Sequence, residues 1–150
     1  MDSVRAADAY GTPILGICNG FQILCEAQLL PGVLLRNEHG RFNDHWVNLK
    51  VKSKGSAFLP LDKEALIRLP VAHGDGRFFV AENELKGLWD HEQVWLTYET
   101  NPNGSLAHIA GVLNAKKNIS GLMPHPERAV AAWMGGVDGL PFFKSILENL

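Results

Sequence analysis

Short apolar runs separated by turn residues dominate the hydrophobic pattern at the start of this chain. Helix formers over residues 2–10 end at a Gly-Thr-Pro turn, which predicts a short helix. Residues 14–17 are apolar without alternation, which predicts a parallel strand that lies centrally in its sheet and is covered on both faces. Over residues 21–30 the apolar positions recur at helical spacing until a Pro-Gly pair. The chain therefore opens with helix, strand and helix.

The rest of the chain predicts mixed β structure followed by a final helix. Residues 46–52 alternate with period two, as a half-exposed strand does. Further β-type runs, each bounded by Gly, Pro or Asn, cover residues 66–72, 77–80, 94–98, 109–113 and 119–123. Asp138 is the predicted N-cap of an amphipathic helix over 138–150, whose apolar stripe is Phe142, Phe143, Ile146, Leu147 and Leu150. Without a repeat or a linker, one α/β unit is expected.

Composition and charge narrow the class of protein. A chain of 150 residues has room for one core, and 14 Lys and Arg against 16 Asp and Glu give a net charge of −2, which argues against nucleic acid as a partner. The first residues lack the apolar region of an export signal, and no apolar run is long enough for a bilayer. The two cysteines, Cys18 and Cys25, have neither a disulfide-framework nor a zinc spacing. We expect a cytoplasmic protein with no metal and no membrane partner.

The first candidate for chemistry is Cys18, which lies in a Gly-Ile-Cys-Asn-Gly segment after the strand at 14–17. This G-x-nucleophile-x-G form is typical of a nucleophile elbow, a sharp turn between a buried strand and a helix. The N-terminus of the helix would stabilise a thiolate and a developing oxyanion. A buried core cysteine between loop glycines is the alternative.

The second candidate is a Pro-His-Pro-Glu segment that follows the strand at 119–123. Proline at 126 favours extended backbone at His125, and positions i and i+2 of extended backbone share a side, so His125 and Glu127 are expected to face together. The carboxylate could then orient the imidazole toward a nucleophile. A rigid turn with a surface histidine is the alternative. A thiol on an elbow and an oriented histidine together favour nucleophilic acyl transfer.

Two polar segments are candidate binding loops. The glycines that flank Asp75, after His73, could bring backbone amides close to a carboxylate, although Gly-Asp-Gly is also hairpin-turn chemistry, and we favour the turn. The sequence Asn-Pro-Asn-Gly-Ser at 101–105 is typical of a turn, which is the interpretation that we favour. A loop that contacts a ligand is the second interpretation.

In order along the chain, these motifs closely resemble those of class I glutamine amidotransferases. More narrowly, they are similar to the family of glutaminase subunits of phosphoribosylformylglycinamidine synthase, from purine biosynthesis. The resemblance runs from about residue 13 to the last helix, and it rests on GICNGFQ at 16–22, LLPG at 29–32, LRN at 35–37, HGDGRF at 73–78, NPNGS at 101–105 and GLMPHPER at 121–128.

The resemblance implies a role for each candidate residue. Cys18 would be the nucleophile, His125 the general base and acid, and Glu127 the residue that orients the histidine. Asn19, the residue after the cysteine, would donate a backbone N–H to the oxyanion. Gln22 would help to hold the glutamine, and the loop at His73 and Gly74 would contact the amino-acid end of that substrate. A cysteine hydrolase or peptidase with the same triad is an alternative, but it leaves Gln22 and the 101–105 loop without a role.

The resemblance also implies a fold and partners. The fold would be the flavodoxin-like, three-layer α/β fold with a central, mostly parallel sheet. Family members begin with further β/α units, one of which has a Gly-Gly-Phe loop that supplies a second oxyanion N–H, so residues 1–150 are expected to be a partial amidotransferase domain. The family delivers ammonia to a large synthetase subunit that uses ATP and Mg, together with a small accessory subunit, and the glutaminase chain itself needs no cofactor. A non-catalytic chain that only binds the synthetase remains an alternative.

Overall fold

The computed structural model describes residues 1–148, apart from the side chains of Ile146 and Glu148. The helices in this part of the chain are α1 (Asp2–Ala9), α2 (Asn19–Glu26), α3 (Glu82–Asp90) and α4 (Leu140–Glu148). The strands are β1 (Ile14–Ile17), β2 (Val33–Leu35), β3 (Asn43–Val51), β4 (Leu66–His73), β5 (Arg77–Phe79), β6 (Val94–Tyr98), β7 (Ile109–Leu113) and β8 (Ile119–Leu122). The mixed α/β class is confirmed.

Six strands form one sheet in the order β1-β8-β7-β6-β3-β4, and β2 pairs with β5 in a separate ribbon. Only the β1–β8 pair is parallel; the other four pairs of the six-stranded sheet are antiparallel. The expectation of a mostly parallel sheet is therefore wrong for the described strands. Connections such as residues 114–118, between β7 and β8, are too short for a crossover helix and require antiparallel neighbours.

Strand β1 lies at one edge of the sheet. Its register runs from Ile14 opposite Ile119 to Ile17 opposite Leu122, and β8 is its one partner among the strands described. The prediction of a central position is wrong for these residues, but cover on both faces is confirmed. Ile14 packs against one apolar core and Leu15 against a second, and adjacent side chains of a strand point to opposite faces.

The two cores give the sheet a helical layer on each face. Phe21 of α2 and Leu88 of α3 belong to the core that Ile14 joins, and Phe142 of α4 belongs to the other. The Phe142 ring packs edge-on against Trp95 of β6, with 5.6 Å between ring centroids. None of the described helices has the length and apolarity needed to cross a bilayer.

Several element boundaries differ from the sequence-based expectation. Helix α2 ends at Glu26 rather than at residue 30, because Gln28 adopts φ of 59° and the N–H groups of Leu29 and Leu30 both turn back to the carbonyl of Leu24. Helix α3 and strand β2 were not predicted at all. Both are short, and α3 buries a single side chain, Leu88, although its apolar periodicity matches that of α2.

Asp138 is not the N-cap of the last helix. Helix α4 begins at Leu140, and Asp138 Oδ2 instead accepts a hydrogen bond from the backbone N–H of Arg68, at 2.8 Å. Phe142 of the predicted apolar stripe is fully buried, whereas Leu147 is 73% exposed. The side chain of Ile146 and the whole of Leu150 lie outside the described residues.

Candidate active site

Cys18 occupies a sharp turn between β1 and α2. Its backbone adopts φ of 51° and ψ of −106°, a strained conformation for a residue with a Cβ atom, and its N–H donates to the carbonyl of Leu122 at 2.8 Å. A Cβ atom at Gly16 would lie 2.5 Å from Leu24 Cδ1 and 2.9 Å from the carbonyl of Gly20. The first glycine of the motif is therefore required because α2 passes close to the strand. A Cβ at Gly20 would meet no described atom within 4 Å.

The two cysteines lie in different environments. Cys18 is half-buried at the N-terminus of α2, and its Sγ lies 3.9 Å from the carbonyl oxygen of Ala72 on β4. Cys25 is buried, and its thiol points to the carbonyl of Pro31. Burial, followed by the charge of Glu26, raises the pKa of Cys25 to about 12. Cys25 is thus an inert thiol at neutral pH, and the alternative of a core cysteine describes Cys25 rather than Cys18.

The imidazole of His125 faces the carboxylate of Glu127, as the spacing predicts. His125 Nδ1 lies 2.6 Å from Glu127 Oε1, and the backbone N–H of His125 donates to the carbonyl of Pro70 on β4, at 2.8 Å. The backbone conformation that brings the two side chains together is not the extended stretch that we expected. It is a 3-10 turn over Pro126–Arg128. His125 Nε2 is buried, with no hydrogen-bond partner among the described residues.

The electrostatics of this pair link it to the cysteine. Interaction with the Cys18 side chain, followed by the hydrogen bond with Glu127, raises the pKa of His125 to about 9 against the opposing effect of burial. Partial burial raises the pKa of Glu127, but hydrogen bonds from His125 and from the backbone outweigh it and hold that pKa below its usual range. At neutral pH the site therefore holds a protonated His125 imidazole that interacts with the Glu127 carboxylate and with the Cys18 side chain.

The segment 73–76 is not a hairpin turn, which corrects the interpretation we favoured from sequence. Strand β5 pairs with β2 instead of β4, so this segment connects the large sheet to the small ribbon. The side-chain amide of Gln22, on α2, donates to the carbonyl of Asp75. The segment is thereby held against the helix that begins at the cysteine.

His73, at the end of β4, is buried and neutral. Burial first, and then the positive charge of His125, lowers the pKa of His73 to about 4. Its Nδ1 lies 3.1 Å from Asn37 Oδ1, and within the described part of the chain its Nε2 has no hydrogen-bond partner. Sequence reasoning gave no role to Asn37, although the residue lies in a segment that carried the family resemblance.

The remaining predicted positions also lie at this end of the sheet. Asn19 opens α2, where a backbone N–H has no acceptor within the helix. The carbonyl of Gly74 accepts the N–H of Asn37, at 2.8 Å. The carbonyls of Pro70 and Ala72, which contact His125 and Cys18, could not be singled out from sequence because any residue supplies a carbonyl. The described residues contain no group of three or more side chains placed to hold a metal ion.

A thiol at an elbow, an imidazole and an orienting carboxylate form the arrangement of a cysteine-dependent acyl-transfer enzyme. Residues 4–138 match the model of the CobB/CobQ-like glutamine amidotransferase domain. The chain therefore belongs to the CobB/CobQ-like glutamine amidotransferase family. Phosphoribosylformylglycinamidine synthase subunit PurQ of Methanosarcina acetivorans is 48% identical over 160 residues, an alignment that covers the whole chain and 69% of that protein.

Solved structures agree with this family. A chain of PurLQS from Thermotoga maritima superposes with a TM-score of 0.87 and 44% identity, over 97% of this chain and 66% of that one. A glutamine amidotransferase from Thermotoga maritima, 22% identical with a TM-score of 0.55, covers 84% of this chain and 45% of that one and shares the fold alone. The chain thus spans about two thirds of the length of its more similar relatives.

Proposed function

We propose that this chain is the glutaminase component of phosphoribosylformylglycinamidine synthase. It hydrolyses glutamine and delivers the ammonia to a synthetase partner in de novo purine biosynthesis. The observation that carries the proposal is the interaction of the Cys18 side chain with His125, which also contacts Glu127, after the ends of the parallel strands β1 and β8, in a chain 48% identical to subunit PurQ.

In the acylation half of the proposed reaction, Cys18 attacks glutamine. The thiolate forms a bond to the carboxamide carbon, and the carbonyl oxygen becomes an oxyanion that accepts a hydrogen bond from the backbone N–H of Asn19. The C–N bond then breaks while His125 gives its Nε2 proton to the departing nitrogen. Ammonia leaves, and a glutamyl thioester remains on Cys18. The raised pKa of His125, about 9, supports this role, because the imidazole starts the step protonated.

In the deacylation half, which follows the departure of ammonia, water is the nucleophile. Neutral His125 takes a proton from water as the oxygen attacks the thioester carbon, and the C–S bond breaks to release glutamate and regenerate the thiolate. Glu127 holds the imidazole throughout by accepting a hydrogen bond from Nδ1, at 2.6 Å. Each cycle therefore consumes one glutamine and one water and produces one glutamate and one ammonia.

Contacts to the rest of the substrate are proposed for Gln22, His73 and Gly74. Gln22 lies one helical turn beyond Cys18 and reaches the carbonyl of Asp75, which brings the side chain and the 73–76 segment together beside the thiol. Backbone groups of a glycine-containing segment can approach a ligand closely. We propose that this segment binds the amino-acid end of glutamine.

The partners and the boundary of the domain also belong to the proposal. The ammonia would go to a large synthetase subunit that uses ATP and Mg, in a complex with a small accessory subunit, while the glutaminase chain binds no cofactor, nucleic acid or membrane. A location in the cytoplasm would keep the free thiols of Cys18 and Cys25 reduced. The edge position of β1, and the 69% coverage of the relative, support a domain that is partial over residues 1–150.

Ammonia release from glutamine tests the proposal. The chain is assayed alone and with its synthetase partner, with Cys18→Ser as the matched inactive control. We expect glutamine-dependent ammonia release by the complex, and its loss in the variant. Absence of turnover in both conditions, with partner binding intact, would contradict the enzymatic role and leave a chain that only binds the synthetase.

A further inference from the structure

Asn37 lies at the centre of a buried polar network that joins three loops. It is 2% exposed. Its Oδ1 accepts hydrogen bonds from His73 Nδ1 at 3.1 Å, from the backbone N–H of Gly76 at 3.3 Å and from Asn103 Nδ2 at 3.3 Å. Its Nδ2 donates to the carbonyls of Arg41 and His73, each at 2.9 Å. Every donor and acceptor of this amide is therefore used.

These partners define the orientation of the Asn37 amide. The backbone N–H of Gly76 can only donate, and the carbonyls of Arg41 and His73 can only accept. A flipped amide would place its NH₂ group against the N–H of Gly76 and its oxygen against the two carbonyls. The oxygen must therefore face Gly76 and His73.

The orientation of this amide sets the tautomer of His73. Because Asn37 Oδ1 can only accept, His73 Nδ1 must carry the proton, and the neutral ring then has a bare Nε2. The ring also lies against Gly76, where a Cβ atom would collide with the imidazole. His73 is thus fixed in position, in tautomer and in charge by its surroundings.

The network extends to the third loop by bonds that the turn there does not need. Asn101 Oδ1 accepts the N–H groups of Asn103, Gly104 and Ser105, and Asn103 Oδ1 accepts the N–H and the hydroxyl of Ser105, so the turn closes on itself. Even so, the Asn103 amide is 1% exposed and reaches out of the turn to Asn37. The oxygen of this amide serves the turn, whereas its Nδ2 has Asn37 Oδ1 as its partner, and that bond offsets the cost of burying the donor.

We propose that Asn37 is a positioning residue of the glutaminase site: its amide oxygen fixes His73 as the Nδ1–H tautomer and ties the 73–76 segment to the 101–105 loop. This inference rests on the proposed function. The segment so held forms a wall beside the nucleophile, since the carbonyl of Ala72, the residue just before it, lies 3.9 Å from Cys18 Sγ and the carbonyl of Asp75 within it accepts from Gln22. Loss of Asn37 would thus loosen the substrate-binding wall and leave the catalytic pair in place.

Two measurements on the chain in its synthetase complex test the proposal. In kinetics, Asn37→Ala should raise KM for glutamine about tenfold, with kcat little changed. Asn43→Ala is the matched control, because Asn43 is also buried and also bonds to the 101–105 loop, through the carbonyl of Pro102. Its backbone lies opposite His73 in the β3–β4 register, which the substitution leaves in place, and its side chain makes none of the hydrogen bonds to His73 or Gly76 that Asn37 makes. We expect KM of the control to stay near the wild-type value.

The second measurement is nitrogen NMR of the imidazole of His73, which reports the tautomer directly. The wild-type chain should show the proton on Nδ1, whereas Asn37→Ala should also show the Nε2–H form. An Nε2–H tautomer in the wild type, or a folded Asn37→Ala variant with unchanged KM, would overturn the proposal. Should Asn37→Ala fail to fold, the wild-type spectrum still decides whether His73 is the Nδ1–H tautomer. The tautomer is measured without turnover, so an inactive wild-type complex would contradict the proposed function alone.

Discussion

Nδ1 of His125 lies 2.6 Å from Oε1 of Glu127, and this contact joins a strand end to the turn that follows it. With Nδ1 engaged, the other ring nitrogen is left for the thiol side of the site, and the Cys18 side chain is the largest cause of the raised pKa of His125. The hydrogen bond with Glu127 thus sets the direction of the ring, while Cys18 and then Glu127 raise its pKa and keep it protonated at neutral pH.

Glu127→Gln should separate the charge of this residue from its geometry. The amide oxygen can still accept from Nδ1, but without the negative charge the pKa of His125 falls from about 9. Turnover should drop on the order of a hundredfold, and the alkaline limb of kcat/KM should move to lower pH because the protonated imidazole is lost earlier. The pH–rate profile of the complex checks this. An unmoved alkaline limb, or an equal effect from the exposed control Glu82→Gln, would contradict the role of Glu127.

The elbow predicts opposite outcomes for its two glycines. Gly16→Ala places a Cβ atom 2.9 Å from backbone atoms of Gly20, so the start of α2 must shift, at a cost of roughly 1–3 kcal/mol in the free energy of unfolding. Gly20→Ala meets open space within α2 and should change stability by about 1 kcal/mol or less, toward stabilisation. Denaturant unfolding of the pair measures both. Equal losses of stability would show that close packing does not explain the motif.

His73 should make the fold sensitive to acid. Its pKa falls from an ordinary 6.5 to about 4 on folding, so below pH 6.5 the unfolded chain binds a proton that the folded chain refuses. Stability should therefore be lost as the pH drops from 6.5 to about 4, by about 3 kcal/mol. The pKa of His125 is raised instead, so its contribution is complete below pH 6.5 and is lost as the pH rises through about 9, which leaves the acid window to His73.

Free energies of unfolding for the wild type and His73→Gln, measured across pH 4 to 7, check the acid effect. The variant should show a shallower loss of stability in acid even if it is less stable throughout, since the carboxylates titrate alike in both proteins. Parallel pH curves for the two proteins would contradict a buried neutral His73.

Local sequence patterns predicted the parts of the fold that depend on neighbouring residues. Apolar runs bounded by turns identified the strands of the large sheet, because segments such as 14–17 and 119–122 are short, apolar and flanked by their own breaker residues. The strand directions could not be obtained in this way. They depend on which strands meet across the sheet, as when β6 pairs with both β3 and β7.

In the candidate site, too, the features with a local sequence signal could be predicted and those that depend on long-range packing could not. The elbow glycine and the His-Pro-Glu spacing are local signals, so the turn at Cys18 and the contact between His125 and Glu127 agree with the expectation, although a 3-10 turn rather than extended backbone makes that contact. Asn37 and the carbonyl of Ala72 reach the site only through long-range packing. The prediction of Asp138 as an N-cap is wrong for a similar reason, because its carboxylate accepts a hydrogen bond from a residue distant in sequence, through the backbone N–H of Arg68.

The identity of the nucleophile is the central claim, and covalent labelling by an electrophilic glutamine analogue tests it most directly. The analogue is added to the wild type, to Cys18→Ser and to Cys25→Ser, and the modified residue is located by peptide mass spectrometry. We expect one label, on Cys18, present in the wild type and in Cys25→Ser and absent from Cys18→Ser, because Cys25 is buried with a pKa near 12. A label on Cys25, or one that survives Cys18→Ser, would contradict the account.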